Sequence, residues 1–262
     1  MRIILLIVCL FLQIFIASAQ TWEIGVSTGA SGYMGDINSL KPQNFTDPAF
    51  GALVKRNFNG YWSAKLNFLR GKIQGDDAKS SNAYQNDRNL SFRSDLNEFS
   101  LQVELNFFNY LPGLLSGFGA KRVTPYIFTG VAGVTFNPVT DYNGSPIELQ
   151  PLQTEAVKYN KYALSVPYGA GIKFNVSGNL NLIGEIGYRT AFTDYLDDLS
   201  GRYPDFTANP PESDLSPNLS DRSFSQSGTP GIQRGDFRKR DTYMFTTISL
   251  TYTFVSTKCP MF

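Results

Sequence analysis

Apolar and polar residues alternate along the last long segment of the chain. Its even positions carry mainly apolar side chains, namely Met244, Ile248, Leu250, Tyr252 and Phe254. Its odd positions carry mainly hydroxyl side chains, namely Tyr243, Thr247, Ser249, Thr251 and Thr253. A period of two indicates a β-strand, because the apolar positions of a helix recur about every 3.6 residues.

The segment that starts at Phe99 repeats this pattern. Leu101, Val103, Leu105 and Phe107 share one face, and the other face carries Ser100, Gln102, Glu104 and Asn106. A whole face of amides and carboxylates does not suit a dry protein core, since buried polar groups without partners are costly.

The same alternation predicts eight strands, at 22–34, 48–57, 61–73, 90–108, 125–136, 161–175, 180–195 and 241–255. Several are longer than the roughly 5 to 6 residues common in soluble sheets, and a tilted strand of about 10 residues can cross a bilayer. Closed membrane barrels usually have an even number of strands, and eight is the smallest usual number. The predicted fold is all-β: an eight-stranded antiparallel transmembrane β-barrel domain over residues 20–262.

The predicted connections alternate between short and long. Asn59-Gly60 and 177–179 are tight turns, and long polar loops cover 35–47, 75–89, 138–160 and 196–240. Short periplasmic turns opposite long extracellular loops are typical of outer-membrane barrels, and this places both termini in the periplasm. The longest loop is rich in proline, serine, asparagine and aspartate, so we expect it to bury little and to be mobile.

The first residues predict export. Arg2 precedes an apolar run over 3–16, and Ala17-Ser18-Ala19 supplies a cleavage site. We predict a signal peptide over residues 1–19. The alternative, a membrane anchor, needs about 20 apolar residues and a following charge cluster, and this run has neither.

Composition narrows the function further. The chain has 23 basic and 22 acidic residues, and removal of the leader with Arg2 leaves 22 of each, so the net charge is zero. We therefore expect no basic surface for nucleic acid. The chain has no histidine, which removes imidazole-based catalysis and histidine metal sites. We predict a protein that is not an enzyme and needs no cofactor or metal. The carboxylates Asp76, Asp77, Asp194, Asp197 and Asp198 are expected in solvated loops, with a weak calcium site as the alternative.

The alternation also predicts which side chains face the lumen. The charged members are Glu23, Lys55, Lys65, Glu104, Lys173, Glu185 and Arg189. The interior of an eight-stranded barrel is only wide enough for side chains, and an unpaired buried charge costs several kcal/mol. We therefore expect these charges to pair and close the lumen. The alternative is an ion path through them.

Aromatic residues are predicted to face outward near the strand ends, as in the aromatic girdles of membrane barrels. They are Trp22, Trp62, Phe68, Phe107, Tyr126, Phe136, Tyr168, Phe174, Tyr188, Phe192, Tyr252 and Phe254.

Two features on the periplasmic side suggest contacts with other molecules. The connection 109–124 contains Leu114, Leu115, Lys121 and Arg122, which suit either a loop resting on lipid headgroups or a docking element for a periplasmic partner. Cys259 is the one thiol left after removal of the leader. It is either a free cysteine or half of an intermolecular disulfide.

Four short motifs occur in the order found in the PorG-like barrels of the Bacteroidota type IX secretion and gliding system. They are Glu23-Ile24-Gly25-Val26 leading to 32–38, Thr124-Pro125-Tyr126-Ile127-Phe128 with 136–138, Glu148-Leu149-Gln150-Pro151-Leu152, and Tyr188-Arg189-Thr190 through 193–200. The chain departs from that family at Gln153, Ala156 and Val157, where the family more often has glycine and a Gly-Gln pair.

The resemblance implies a structural barrel of the secretion apparatus that docks a periplasmic ring made of a lipoprotein and a partner protein. The alternative is a stand-alone barrel without a pore that stabilises the envelope or mediates surface adhesion. A small-solute channel needs an open lumen, which charge pairing disfavours.

Overall fold

A computed structural model describes residues 21–37, 45–113, 119–211 and 213–255, so the predicted leader lies outside the described residues. The described residues form ten strands and two short α-helices. The strands are β1 Thr21–Met34, β2 Phe45–Asn57, β3 Trp62–Asp76, β4 Ser91–Asn106, β5 Val123–Thr135, β6 Pro138–Tyr142, β7 Ser145–Glu148, β8 Tyr162–Ser177, β9 Leu180–Ala191 and β10 Thr242–Phe254. The helices are α1 Ala83–Arg88 and α2 Leu215–Ser220, and single 3₁₀ turns cover Asp77–Lys79 and Gln150–Leu152.

All strands belong to one antiparallel sheet, which confirms the predicted all-β class. Its order is β3-β2-β1-β10-β9-β8-β5-β4-β6-β7, and β3 pairs with β4 as well as with β2. The pairing therefore passes through eight strands and returns to its start. We call these eight, β1 to β5 and β8 to β10, the ring.

The sheet has ten strands because the segment predicted as the loop 138–160 contains a hairpin. β6 continues the sheet from β4 through the pairs Arg93–Val139 and Ser94–Pro138, and β7 pairs back on β6. The hairpin turns at Asn143 and Gly144, which both have positive φ, as a two-residue turn of type I′ requires.

The connections of the ring differ in length at its two ends. At one end β2 joins β3 through a turn in which Asn59 Oδ1 accepts from the backbone N–H groups of Tyr61 and Trp62, each at 2.8 Å. At the same end β8 joins β9 through Gly178 and Asn179. The described part of the connection 107–122, between β4 and β5, also lies at this end, where the backbone N–H of Tyr110 donates to the carbonyl of Gly60 at 2.9 Å. The other long connections, which follow β1, β3, β5 and β9, leave the opposite end. Among the described residues, no helix has the length and apolar character needed to cross a bilayer.

The long connections pack together over their end of the ring, and we call them the cap: residues 35–37, 77–90, 136–161 and 192–241, apart from Glu212. Apolar residues of the cap and of the ring strands at the cap end form one core. It includes Tyr33, Ile37, Leu69, Ile73, Phe92, Leu96, Phe136, Leu149, Leu196, Leu199, Leu219, Tyr243 and Phe245. The expectation that 196–240 buries little was wrong. Its leucines form two pairs, Leu196 with Leu199 and Leu215 with Leu219, and all four pack in or against the apolar core that other segments share.

Candidate functional site

The polar half of the ring interior is organised around Glu104 of β4. Three lysines from three other strands surround its carboxylate: Lys173 Nζ lies 2.6 Å and Lys55 Nζ 3.1 Å from Oε2, and Lys65 Nζ lies 3.2 Å from Oε1. Ser63 Oγ donates to Oε2 at 2.9 Å. All of these side chains are buried. Lys65 also pairs with Glu185 of β9. We call Glu104, Lys55, Lys65, Lys173 and Glu185 the Glu104 cluster.

Aromatic rings of β5 complete this cluster. The hydroxyl of Tyr126 donates to Glu185 at 2.7 Å, and the Lys173 ammonium lies 4.4 Å from the centre of the Tyr126 ring. The Lys65 ammonium lies 5.0 Å from the centre of the Phe128 ring. Such placements over a ring face add cation–π attraction.

The prediction that Tyr126 faces outward was therefore wrong, and so was that for Phe136. The two side chains are 1% and 2% exposed. Both faces of β5 carry apolar residues, so polarity alone does not tell its inner face from its outer one.

The remaining predicted lumen charges, Arg189 and Glu23, have hydrogen-bond partners outside the Glu104 cluster. Arg189 Nε lies 3.0 Å from Glu98 Oε2, and its guanidinium stacks 5.0 Å from the centre of the Phe245 ring. Glu23 has neutral partners: Asn57 donates to it at 2.6 Å and Thr251 at 3.0 Å. Sequence reasoning missed Glu98, although it has the same parity on β4 as Glu104 and the alternation could have found it.

The buried charges of the ring strands balance. Their cations are Lys55, Lys65, Lys173 and Arg189, and their carboxylates are Glu23, Glu98, Glu104 and Glu185. The gap bordered by Ser27, Lys55, Lys65, Glu185 and Ser249 is too small to hold a water molecule. The apolar core fills the ring beneath the cap. Charged and hydroxyl side chains thus surround this gap, and apolar side chains occupy the part of the interior beneath the cap.

The outer face of the ring is apolar. Every ring strand contributes large exposed apolar side chains, such as Val26 and Trp22 of β1, Phe50 of β2, Leu66 and Phe68 of β3, Phe99 and Leu101 of β4, Val131 of β5, Leu164 and Ile172 of β8, Ile186 of β9 and Ile248 of β10. We call this surface the apolar belt. The polarity of a water-soluble sheet protein is thus inverted, because the charges lie inside the ring and the apolar residues outside.

Charged residues border the apolar belt. On the cap side, the outward positions of β3 and β4 carry charged side chains, Arg70, Lys72 and Asp95, instead of apolar ones. Lys72 Nζ lies 3.8 Å from Asp95 Oδ1. On the other side Arg56 lies 5.2 Å from the centre of the Trp22 ring. Lys121 and Arg122 are also exposed at this end. The other residues predicted for docking or bridging, Leu114, Leu115 and Cys259, lie outside the described residues.

The cap contains a buried group of carboxylates. One oxygen from each of Asp36, Asp194 and Asp241 lies within 4.8 Å of those of the other two. The hydroxyl of Tyr33 donates to the neighbouring Asp197 and lies 3.4 Å from Asp241 Oδ1. We call these four aspartates the acidic cluster.

Burial dominates the ionisation of the acidic cluster. Burial and the charge of Asp197 raise the pKa of Asp36 to about 10. Burial, followed by repulsion from neighbouring carboxylates, raises the pKa values of Asp197 and Asp241 well above their usual range. Burial raises the pKa of Asp194 to about 6.

The expectation of solvated carboxylates was wrong at four of the five positions. Asp77, Asp194, Asp197 and Asp198 are buried, and only Asp76 is partly exposed. Asp77 forms an ion pair with Arg88 at 2.7 Å, and Asp198 accepts from Thr154 at 2.5 Å and Tyr159 at 2.6 Å. They are buried because the loops that carry them fold over the ring.

Comparisons with known proteins give a family and distant structural likenesses. Residues 1–209 match the model of the family described as a domain of unknown function, DUF6089. No curated protein matches the chain. Among solved structures, the chain is similar to the N-terminal β-barrel domain of Pseudomonas aeruginosa OprF, at 10% identity and a TM-score of 0.38, covering 90% of this chain and 98% of that one.

Two further solved structures are similar to the chain at comparably low identity and TM-score. Ail, the attachment invasion locus protein of Yersinia pestis, is 13% identical with a TM-score of 0.41, and 90% of this chain and 97% of Ail are covered. Neisserial surface protein A is 10% identical with a TM-score of 0.40, and 90% of this chain and 98% of that one are covered. Identity is low in all three, so the functional argument rests on the geometry of this chain.

Proposed function

The chain belongs to the family described as a domain of unknown function, DUF6089, and from the geometry of this member we propose a non-enzymatic β-barrel of the bacterial outer membrane with a closed lumen. The observation that carries the proposal is the inverted polarity of the ring. An apolar surface on all eight strands is far larger than the patches that water-soluble monomers leave exposed. A bilayer solvates such a surface, and the cyclic pairing satisfies the backbone groups that lipid cannot.

The ends of the ring give the barrel an orientation. Outer-membrane barrels have short turns on the periplasmic side and longer loops outside. The turns at 58–61 and 178–179 therefore face the periplasm together with the described chain ends, Thr21 and Val255. The cap faces outward. Trp22, Trp62, Tyr252 and Phe254 lie on the outer face near the short-turn end, where aromatic side chains of membrane barrels meet the headgroups.

Refolding tests the membrane proposal. The chain from Gln20 onward is expected to form sheet structure in phosphatidylcholine vesicles and to aggregate in buffer without lipid or detergent, because the apolar belt needs an apolar solvent. Circular dichroism and sedimentation measure this. The same vesicles should retain entrapped potassium ions, since the proposed lumen is closed. A soluble monomer in plain buffer would contradict the barrel proposal, and steady potassium release would contradict the closed lumen.

The finer part of the proposal is the role in the type IX secretion apparatus. The resemblance to PorG-like barrels supports it, and so does the exposed Lys121-Arg122 pair at the proposed periplasmic end. In this proposal the short-turn end docks a ring of a lipoprotein and a partner protein in the periplasm. Cys259 then serves either as a free thiol or as a bridge to that ring.

Crosslinking and pull-down from native outer membranes test this docking. We expect capture of a periplasmic lipoprotein by the wild-type chain and its loss in the Lys121→Glu, Arg122→Glu double variant, because the change reverses two charges at the docking end. The matched control is the Lys239→Glu, Arg240→Glu double variant, which makes the same change on exposed residues of the cap and should keep the partner. Equal capture by both variants would remove Lys121 and Arg122 from the docking surface.

The second candidate function is surface adhesion by a stand-alone barrel. The cap supports it, because its ordered loops expose large apolar side chains: Phe224 is 74% exposed, and Ile232 and Phe237 are 48% exposed. A pull-down without any periplasmic partner would favour this second candidate.

A further inference from the structure

Three separate chain segments meet at the acidic cluster. Asp36 follows β1, Asp194 follows β9, and Asp241 precedes β10. The side chains are 2%, 8% and 1% exposed. The long connection between β9 and β10 therefore has one of these carboxylates near each of its ends, and the third comes from the residues that follow β1.

The cluster differs from the ring interior in its charge balance. None of the ion pairs that the described residues form involves Asp36, Asp194, Asp197 or Asp241. The nearby guanidinium groups serve other acceptors: Arg88 pairs with Asp77, and Arg234 pairs with Glu155 at 2.9 Å. These four buried carboxylates thus have no paired cation, in contrast to Glu98, Glu104 and Glu185 of the ring.

One oxygen of the cluster has no hydrogen-bond donor. Asp194 Oδ2 accepts from Ser200 Oγ at 2.7 Å, whereas Oδ1 is buried and has no partner among the described residues. A buried carboxylate oxygen without a donor or cation is costly. The unpaired atom belongs to one of the three residues whose oxygens converge.

We propose that Asp36, Asp194 and Asp241 bind a calcium ion. Calcium takes six to eight oxygen ligands, carboxylates among them, at about 2.3–2.6 Å, so two ligand oxygens on opposite sides of the ion are about 4.6–5.2 Å apart. Oxygens that all lie within 4.8 Å of one another can therefore share one ion. Magnesium fits less well, because it requires near-octahedral geometry at about 2.1 Å and usually keeps several waters.

A bound ion joins the two ends of the connection between β9 and β10 to the end of β1. Because its ligands come from the end of β1 and from both ends of that connection, calcium would hold these segments of the cap together. The inference concerns the cap and does not depend on where the barrel resides.

Calcium titration of the folded full-length mature chain in detergent micelles tests the proposal. We expect saturable heat in calorimetry with calcium chloride, and slower proteolysis of the cap in calcium than in EGTA. The Asp194→Asn variant should lose the binding heat and the protection. In EGTA, however, it should resist proteolysis at least as well as wild type, because an uncharged amide costs less than an unpaired carboxylate at this buried position. A variant that merely damages the fold would lose resistance in both conditions.

The matched control is Asp141→Asn, which removes an exposed carboxylate of β6 and should bind calcium like wild type. An absence of calcium-dependent heat and protection in wild type would overturn the proposal. So would unchanged binding in Asp194→Asn. Equal protection by magnesium chloride would overturn the preference for calcium.

Discussion

Replacing Glu104 with glutamine is expected to lower the free energy of unfolding by about 3–5 kcal/mol, the usual cost of removing one partner from a buried ion pair. Lys55, Lys65 and Lys173 all lie within 3.2 Å of its carboxylate. Glutamine keeps the shape of the side chain but leaves these buried ammonium groups short of negative charge. Urea unfolding in lipid vesicles, followed by tryptophan fluorescence, measures the effect.

The control for this prediction is Glu148→Gln, the same chemical change at the surface. Glu148 pairs with Lys161 at 2.7 Å, and both side chains are at least one-third exposed. Exposed pairs contribute up to about 1 kcal/mol, so the control should change little. The double variant Glu104→Gln, Lys173→Met should recover part of the loss, because removing both partners costs less than removing one. Equal midpoints for Glu104→Gln and Glu148→Gln would show that the Glu104 cluster does not stabilise the ring.

Replacing Leu101 with arginine is the second prediction with a large effect. Leu101 is 48% exposed on the outer face of β4, between Phe99 and Val103 in the apolar belt. An arginine near the bilayer midplane on the lipid face of a barrel costs about 2–4 kcal/mol. We expect a loss of that size in vesicle unfolding and a smaller folded fraction.

Phe224→Arg provides the matched comparison, because Phe224 is an apolar residue that is even more exposed, at 74%, but lies in the cap. In water this change is expected to alter stability by no more than about 0.5 kcal/mol. The difference between the two variants separates lipid exposure from exposure in general. Equal effects at Leu101 and Phe224 would count against a bilayer around the belt.

The ring could be predicted from sequence because its strands follow one rule. Each predicted strand range overlaps one strand of the observed ten-stranded sheet, and Glu104 and its three lysines have the parity that places them on the inner face. The rule fails where a strand has apolar residues on both faces. This is why Tyr126 and Phe136 were placed outside although they are buried.

The cap could not be predicted in the same way. Its stabilising contacts join residues far apart in sequence: Arg234 pairs with Glu155, and Ser216 Oγ donates to the backbone carbonyl of Leu152 at 2.6 Å. No local period marks such contacts. For the same reason the sequence showed Asp194, Asp197 and Asp198 as a polar stretch, but gave no sign that Asp36 and Asp241 lie beside them.

The pairing of β1 with β10 determines when assembly can finish. Trp22 pairs with Phe254, and the register continues to Met34 opposite Thr242, so the first and last strands meet along their full length. Contacts between residues this distant in sequence carry a high loop-closure cost and form late. A chain that stops before Thr242 would leave two unpaired strand edges, and in the proposed membrane location their backbone groups would find no hydrogen-bond partners. The pairing that completes the ring can therefore form only after β10 has been synthesised and has reached β1.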